Sequence, residues 1–225
     1  MLPFVLAAIG GYLLGSIPFG LVITRAAGLG DIRAMGSGNI GATNVLRTGR
    51  KDLALATLLL DAGKAAIALL VARWLTGGSQ SEIETGLVAG GFAFLGHCYP
   101  VWLGFKGGKG VATYFGLILF GMPPLGVVVG VVWLTIAMMF RFSSLASLIA
   151  AAVAPLLAMV GNYSISEIAF LVVLALLIVW THRANIARLR AGVESKIGEK
   201  KDTPISVQAR NVTDDPSALP PPAES

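Results

Sequence analysis

The sequence predicts an all-α polytopic membrane protein. The expectation is seven transmembrane helices, N-terminus outside and C-terminus cytoplasmic, with a broken, re-entrant segment near 97–121. Three observations lead there. Apolar residues make up 55% of the 225-residue chain and charged residues 13%, with a mean hydropathy of +0.78. A soluble domain carries about 25% charge, so this chain has too few polar groups to cover a globule of its size. Apolar stretches near the ~20 residues of a membrane span recur along it. Finally, 15 of its 17 Lys and Arg residues fall on alternate connections.

Met1 to Thr24 carries no charge. A secretory signal needs a basic region ahead of its apolar stretch, whereas the first basic residue is Arg25, on the far side, so this segment reads as an uncleaved first span. The second runs from Ala54 to Ala72 and is interrupted by Asp61 and Lys64. Thr85 to Phe105 is an uncharged third. Gly110 to Phe140 is uncharged over 31 residues, but Gly121-Met-Pro-Pro124 breaks it, because proline lacks an N–H and clashes with the preceding turn. A short helix at 111–121 and a longer one at 125–140 are expected. Phe142 to Val160 is the sixth and Ile165 to Thr181 the seventh, with Ser143 expected to cap the sixth. The 111–121 helix is too short to cross alone, so 97–121 should contain non-helical backbone buried in protein.

Charge placement sets the orientation. Arg25, Arg33, Arg47, Arg50 and Lys51 lie between spans one and two. Lys106 and Lys109 lie between three and four, and Arg141 follows five. Arg183, Arg188, Arg190, Lys196, Lys200, Lys201 and Arg210 follow seven. The connections 76–84, 121–124 and 161–167 carry no Lys or Arg. The positive-inside rule puts the basic connections in the cytoplasm. That requires an odd number of spans, met by seven, or by five if 97–121 and its neighbour do not fully cross. The membrane domain is read as 1–198. Residues 199–225 are polar, end in Leu-Pro-Pro-Pro-Ala-Glu-Ser, and read as a disordered cytoplasmic tail. The single cysteine, Cys98, excludes an internal disulfide framework and a Cys-based structural zinc site.

Three polar elements fall on the inferred cytoplasmic side. The first is Gly36-Ser-Gly-Asn-Ile-Gly-Ala-Thr-Asn-Val-Leu-Arg47. Its glycines let backbone approach a ligand, Ser37, Asn39, Thr43 and Asn44 supply short polar groups, and Arg47 supplies a fork suited to phosphate. The second is Gly96-His-Cys-Tyr-Pro-Val-Trp-Leu-Gly-Phe-Lys-Gly-Gly-Lys-Gly-Val-Ala-Thr113. Within it, Lys106, Gly107, Gly108, Lys109 and Gly110 suit a backbone nest whose N–H groups converge on an anion, beside a helix N-terminus. It resembles a phosphate-binding P-loop but has one residue too few before the Gly-Lys pair and Gly110 in place of the Mg²⁺-binding Ser/Thr. Phosphate binding without nucleotide hydrolysis is expected.

The third element follows span seven: Thr181-His-Arg-Ala-Asn-Ile-Ala-Arg-Leu-Arg190, then Gly192 and Glu194. If helical, His182 and Asn185 share a face, and histidine is a usable base or donor near neutral pH. Inside span two, Asp61 and Lys64 are spaced to touch, and charges within a membrane are costly and usually functional. His97, Ser144 and Ser147 are further candidates. Each feature also has a plain structural reading: an ordinary Gly-rich connection, a basic loop on anionic headgroups, arginines that merely end a span, a self-neutralising pair, a histidine satisfied inside the bundle.

Several chemistries lack their residues. No His-x4-Asp dyad follows His97 or His182, where Trp102 and Ala187 stand. There are no paired Asp clusters, no metal-ligand spacing and no Gly-x-Ser-x-Gly elbow. No cofactor, metal or nucleic-acid partner is expected. An anion transporter would also suit the broken span and the Asp61/Lys64 pair. The lack of an internal repeat and the one-sided polar residues favour an enzyme.

Taken together in order, the chain resembles the bacterial acyl-phosphate-dependent glycerol-3-phosphate acyltransferases of the PlsY type. The matching pieces are Gly15-Ser-Ile-Pro-Phe-Gly20, Gly36 to Arg47, Asp61 with Lys64, Gly96 to Thr113, Ser143-Ser-Leu-Ala-Ser147 and His182 to Leu189 with Gly192 and Glu194. They span about residues 10–196. Ala65 stands where family members often have Gly, and the tail is longer than the family core needs. The resemblance implies transfer of a fatty acyl group from acyl phosphate to the sn-1 hydroxyl of glycerol 3-phosphate, giving lysophosphatidic acid and phosphate. This is the first step of phospholipid biosynthesis, and neither acyl-CoA nor acyl carrier protein is required. It implies a multi-pass protein of the bacterial inner membrane, in contact with membrane lipid, whose site faces the cytoplasm. It assigns Ser37, Arg47, Lys109, His182 and Asn185 to catalysis. To substrate binding it assigns Asn39, Thr43, Asn44, Asp61, Lys64, His97, Lys106, Gly107, Gly108, Gly110 and Ser144. By the same resemblance Glu194 holds the C-terminal segment against the core.

Overall fold

The computed structural model describes residues 1–77 and 82–199. Among them the chain is helical, without a strand. The helices are α1 (Leu2–Gly15), α2 (Phe19–Ala26), α3 (Ala42–Leu46), α4 (Lys51–Leu75), α5 (Glu82–Cys98), α6 (Val111–Gly121), α7 (Pro123–Phe140), α8 (Ser143–Val160), α9 (Ile165–Thr181) and α10 (Arg183–Arg190). Of the expected tail, residues 200–225 lie outside the described residues.

Helix ends follow local chemistry. The first apolar run is broken at Ser16-Ile-Pro18, where Pro18 precedes α2, a break masked by the apolar residues around it. Met122 alone separates α6 from α7, and Pro123 and Pro124 open α7, where their missing N–H groups are not needed. Phe142, not Ser143, occupies the cap position of α8, and no side chain caps it. Ser164 and Glu167 close a reciprocal capping box on α9. Past α9 the chain bends by 61° into α10.

The core is packed through small residues. A Cβ on Gly11 or Gly15 would collide with the backbone of Ala89 or Ala93, and one on Gly96 with Tyr12 and Ser16. These spacings of four let α1 and α5 touch backbone to backbone, the small-residue packing of membrane helices. Gly116 approaches Ala62 in the same way, drawing α6 onto α4. Leu69, Phe94, Leu117 and Ile178 fill the centre, each at most 1% exposed. Large apolar side chains such as Leu59, Val131, Met138 and Leu176 stand on the outer faces, as for a protein solvated by lipid.

Leu2–Ala26, Lys51–Leu75, Glu82–Leu103, Pro123–Phe140 and Ser143–Val160 are long and apolar enough to cross a membrane, and α9 with α10 makes a sixth if the bent pair is one span. The expected seventh depends on α6. Its 11 residues reach about 16 Å, half the ~30 Å hydrocarbon core.

Candidate functional site

The polar elements meet at one end of the bundle, around a cavity of about 460 Å³. Its wall includes Ser37, Asn39, Thr43, Asn44 and Arg47 from the first element, and Lys109 and Gly110 from the second. His182, Asn185, Arg188, Glu194 and Ser195 come from the third, Ser143, Ser144 and Ser147 from α8, and Asp61 and His97 from inside the bundle. Of the sequence-predicted site residues, Lys64, Lys106, Gly107 and Gly108 do not line it. Lys106 is exposed. A second cavity of about 470 Å³, between α1, α4 and α5 at the opposite end, is lined by apolar side chains and two threonines and offers no titratable group.

The first loop is shaped around Asn44. This amide donates to Ile32 O, Met35 O and Asn39 O at 3.0, 3.1 and 2.8 Å. Its Oδ1 accepts from Ser37 N at 2.9 Å and Ser37 Oγ at 3.2 Å. The amide is therefore saturated within the loop, and Asn44 contributes shape rather than a substrate contact. Gly36 has φ +56°, and a Cβ there would meet Asn44 Oδ1 and Arg47 Cδ, so glycine is needed for both side chains to approach. Arg47 is half-buried on the cavity wall. Asn39 Oδ1 is buried and accepts no bond.

The second loop departs from the expected nest. Gly107 N donates to Cys98 O at 3.1 Å and Gly108 N to His97 O at 3.0 Å. These amides bind the exposed carbonyls at the end of α5 and are not available to an anion. The glycines serve close approach instead. A Cβ on Gly107 would strike His97 O, one on Gly108 the His97 ring, and one on Gly110, at φ +80°, the Phe94 ring. The loop thereby delivers Lys109 to the cavity and starts α6 beside it. Lys109 O accepts from Thr181 Oγ1 at 3.2 Å, tying the loop to the end of α9. Burial, together with the charges of Arg188 and Arg47, lowers the Lys109 pKa to about 8 against the opposing pull of Glu194.

His182 follows α9 at the bend and is 2% exposed. Its Nδ1 lies 2.8 Å from Ile178 O. A carbonyl only accepts, so Nδ1 carries the proton and Nε2 keeps its lone pair. Burial, then the Lys109 charge, pushes the His182 pKa down to about 4, so the ring is neutral at pH 7. Glu194 accepts from Asn185 Nδ2 (2.6 Å), Ser144 Oγ (2.7 Å) and Arg188 Nε (2.7 Å). Burial raises its pKa, but these bonds outweigh that and hold the carboxyl below its usual range. Glu194 thus joins α8, α10 and the segment after α10, as expected, and it also lines the cavity. Arg188 lines the cavity too, although its sequence context is equally that of a residue ending a span. Ser147 accepts from Trp133 Nε1 at 3.0 Å, and Trp133, with Leu55 and Leu58, forms an apolar part of the wall. Neither Trp133 nor Arg188 had a local signal beyond its residue type.

Chemically, the cavity offers four basic side chains, Arg47, Lys51, Lys109 and Arg188, with Glu194 beside them, the neutral imidazole of His182, and free amide oxygens on Asn39 and Asn185. Among the described residues no three His, Cys, Asp or Glu side chains gather as a metal-ligand group.

A family model described as glycerol-3-phosphate acyltransferase matches residues 5–192. A glycerol-3-phosphate acyltransferase of Maricaulis maris (strain MCS10) is 61% identical over 196 residues, 87% of this chain and 88% of the relative. One of Rhodospirillum rubrum is 58% identical over 197 residues, 86% of this chain and 91% of the relative. The crystal structure of PlsY (YgiH), an integral membrane glycerol 3-phosphate acyltransferase, in its glycerol 3-phosphate form superposes with a TM-score of 0.78 at 41% identity, covering 87% of this chain and 96% of that one. Its lysophosphatidic acid form gives 0.76 at 40%, covering 87% and 95%. With its bundle and polar cavity joined to matches of this extent, the chain belongs to the glycerol-3-phosphate acyltransferase family of integral membrane proteins.

Proposed function

We propose that the protein transfers a fatty acyl group from acyl phosphate to the sn-1 hydroxyl of glycerol 3-phosphate. The observation that carries the reading is the single cavity in which Arg47, Lys109 and Arg188 stand beside a neutral His182, with Leu55, Leu58 and Trp133 on its apolar side. Both substrates bring a phosphate and one brings a long chain, which suits a cavity cationic on one side and apolar on the other. The structures of the similar PlsY protein in glycerol 3-phosphate and lysophosphatidic acid forms support the acceptor and the product.

An acyl phosphate is already activated, so catalysis needs positioning and charge neutralisation more than a protein nucleophile. The acceptor hydroxyl donates a hydrogen bond to His182 Nε2 and its oxygen attacks the acyl carbonyl carbon. The new ester C–O bond forms as the carbonyl carbon–phosphate oxygen bond breaks, and phosphate leaves. A ring with a pKa of about 4 is a weak base beside a phosphate, whose second pKa is about 6. The proton is therefore handed to the leaving phosphate as the carbonyl carbon–phosphate oxygen bond breaks, and the hydrogen bond to His182 serves to orient the hydroxyl before attack. Arg47, Lys109 and Arg188 neutralise the phosphates. The free oxygens of Asn39 and Asn185 accept from glycerol hydroxyls, and Ser37 and Thr43 stand at the exposed mouth. Asp61, His97 and Ser144 belong to the supporting wall.

In the membrane, α6 belongs to a seventh crossing, Lys106 and Lys109 stay on the cytoplasmic connection before it, and the site faces the cytoplasm of a bacterial cell. No acyl carrier protein or CoA takes part. The test uses purified protein in liposomes with an acyl phosphate and radiolabelled glycerol 3-phosphate. Lysophosphatidic acid and inorganic phosphate are expected in equal amounts, with no product from acyl-CoA or acyl carrier protein. Product from acyl-CoA but not from acyl phosphate overturns the donor assignment.

A further inference from the structure

Asp61, Lys64 and His97 form a buried cluster behind the second loop, 2%, 2% and 4% exposed. Burying ions is costly, and a buried pair is often no more stable than apolar residues of the same size, so two mid-helix charges call for a further role. Lys64 Nζ donates to Ile17 O at 3.1 Å, lies 3.0 Å from Asp61 Oδ1 and is 2.8 Å from His97 Nδ1. An ammonium has three hydrogens and no lone pair, so His97 Nδ1 must accept. The competing arrangement has Nδ1–H donating to Asp61 Oδ1. That contact is longer, at 3.4 Å, and it turns an N–H toward the ammonium. The shorter contact decides, and the His97 proton sits on Nε2, the opposite tautomer from His182.

The Nε2 edge of His97 lies against Gly108, where a Cβ would collide with it. The same residue's carbonyl receives Gly108 N, and Cys98 O receives Gly107 N. The middle of the loop thus rests on His97 through both ring and backbone, and the next residue is Lys109.

We propose that Lys64, paired with Asp61, is a positioning residue for this loop: it locks His97 in the Nε2–H tautomer with its ring fixed beneath Gly108, and so sets the place of Lys109. The proposal rests on reading Lys109 as a phosphate-holding group.

The chain has 2 histidines, so ¹⁵N-histidine labelling gives two ring systems, assigned with a His182→Gln variant. In the wild type, His97 is expected to show a pyridine-type Nδ1 and a pyrrole-type Nε2, with the reverse pattern at His182. Lys64→Met alone strands a buried carboxylate. The informative variant is therefore Asp61→Asn/Lys64→Met, which removes both charges at similar volume. It is expected to lose the fixed His97 pattern and to raise KM for one phosphate substrate roughly tenfold, with kcat changed less than about threefold. A proton on His97 Nδ1 in the wild type overturns the proposal whether or not any variant folds. So does a folded double variant with wild-type KM for both substrates. Lack of acyl transfer by the wild type counts against the functional reading alone, because the tautomer is observed without turnover.

Discussion

The side-chain amide of Asn185 donates to the carboxylate of Glu194 across 2.6 Å. A carboxylate only accepts, so this bond fixes which way the amide faces. Its nitrogen points to Glu194, and its buried oxygen, which accepts no bond from the protein, is left for the cavity. The same carboxylate holds Ser144 and Arg188. Glu194→Gln keeps the shape but lets the new amide donate, so Asn185 is free to flip. Hydrogen bonds to a charged group contribute about 1.5–3 kcal/mol. A fall in kcat/KM of about tenfold is expected, with a Tm lower by a few degrees, measured by steady-state kinetics and thermal unfolding in detergent.

Lys109 is expected to set the alkaline side of the pH profile. A lysine is charged below its pKa, so with a value of about 8 it is largely charged at pH 7 and loses that charge as pH rises through about 8. The value of kcat/KM for the phosphate substrate it holds is expected to fall above pH 8, approaching tenfold per unit. Lys109→Arg, whose guanidinium stays charged, should flatten that limb even if its rate at pH 7 is lower.

His182 predicts the opposite kind of profile. A ring that titrates near 4 keeps one charge state between pH 6 and 9. His182→Ala is expected to lower kcat about 10²-fold, within the range of a lost positioned proton-handling group, and equally at each pH in that interval. A wild-type limb between pH 6 and 7 that vanishes in the variant would make the imidazole the base.

Gly108→Ala separates close approach from anion binding. The added methyl meets the His97 ring and displaces Lys109, so KM for the bound phosphate substrate should rise roughly tenfold with less than about threefold change in kcat. Gly130→Ala, with nothing within 4 Å of the new atom, is the matched control and should leave both constants unchanged. A turnover defect without a KM change in Gly108→Ala places the loop at the reacting atoms.

Much of the fold is readable locally. The breaks at Met122 and after Thr181 follow from prolines and from the end of an apolar run, and the helices there agree within a few residues. The break at Ser16-Ile-Pro18 is not legible in the sequence, because apolar residues continue across it and hide the proline. The site elements were visible as polar, glycine-rich islands in an apolar chain. What the glycines do was not visible. Gly107 and Gly108 looked like anion donors, yet their amides bind the end of α5, a partner some ten residues away whose carbonyls are free only because that helix stops at Cys98. Asn44 looked like a ligand group, yet its amide is saturated by loop carbonyls. Arg188 looked like a span terminator, yet Glu194 turns it to the cavity.

By itself the sequence determined the solvent, the helical class, the family and where the polar islands lie along the chain, because these rest on composition, on runs of apolar residues and on the order of motifs. Only the tertiary structure decided which donors and acceptors remain free. Hydrogen-bond saturation is a property of elements brought together in space. The opposite tautomers of His97 and His182 depend on Lys64, 33 residues before the first, and on a helix carbonyl one turn before the second.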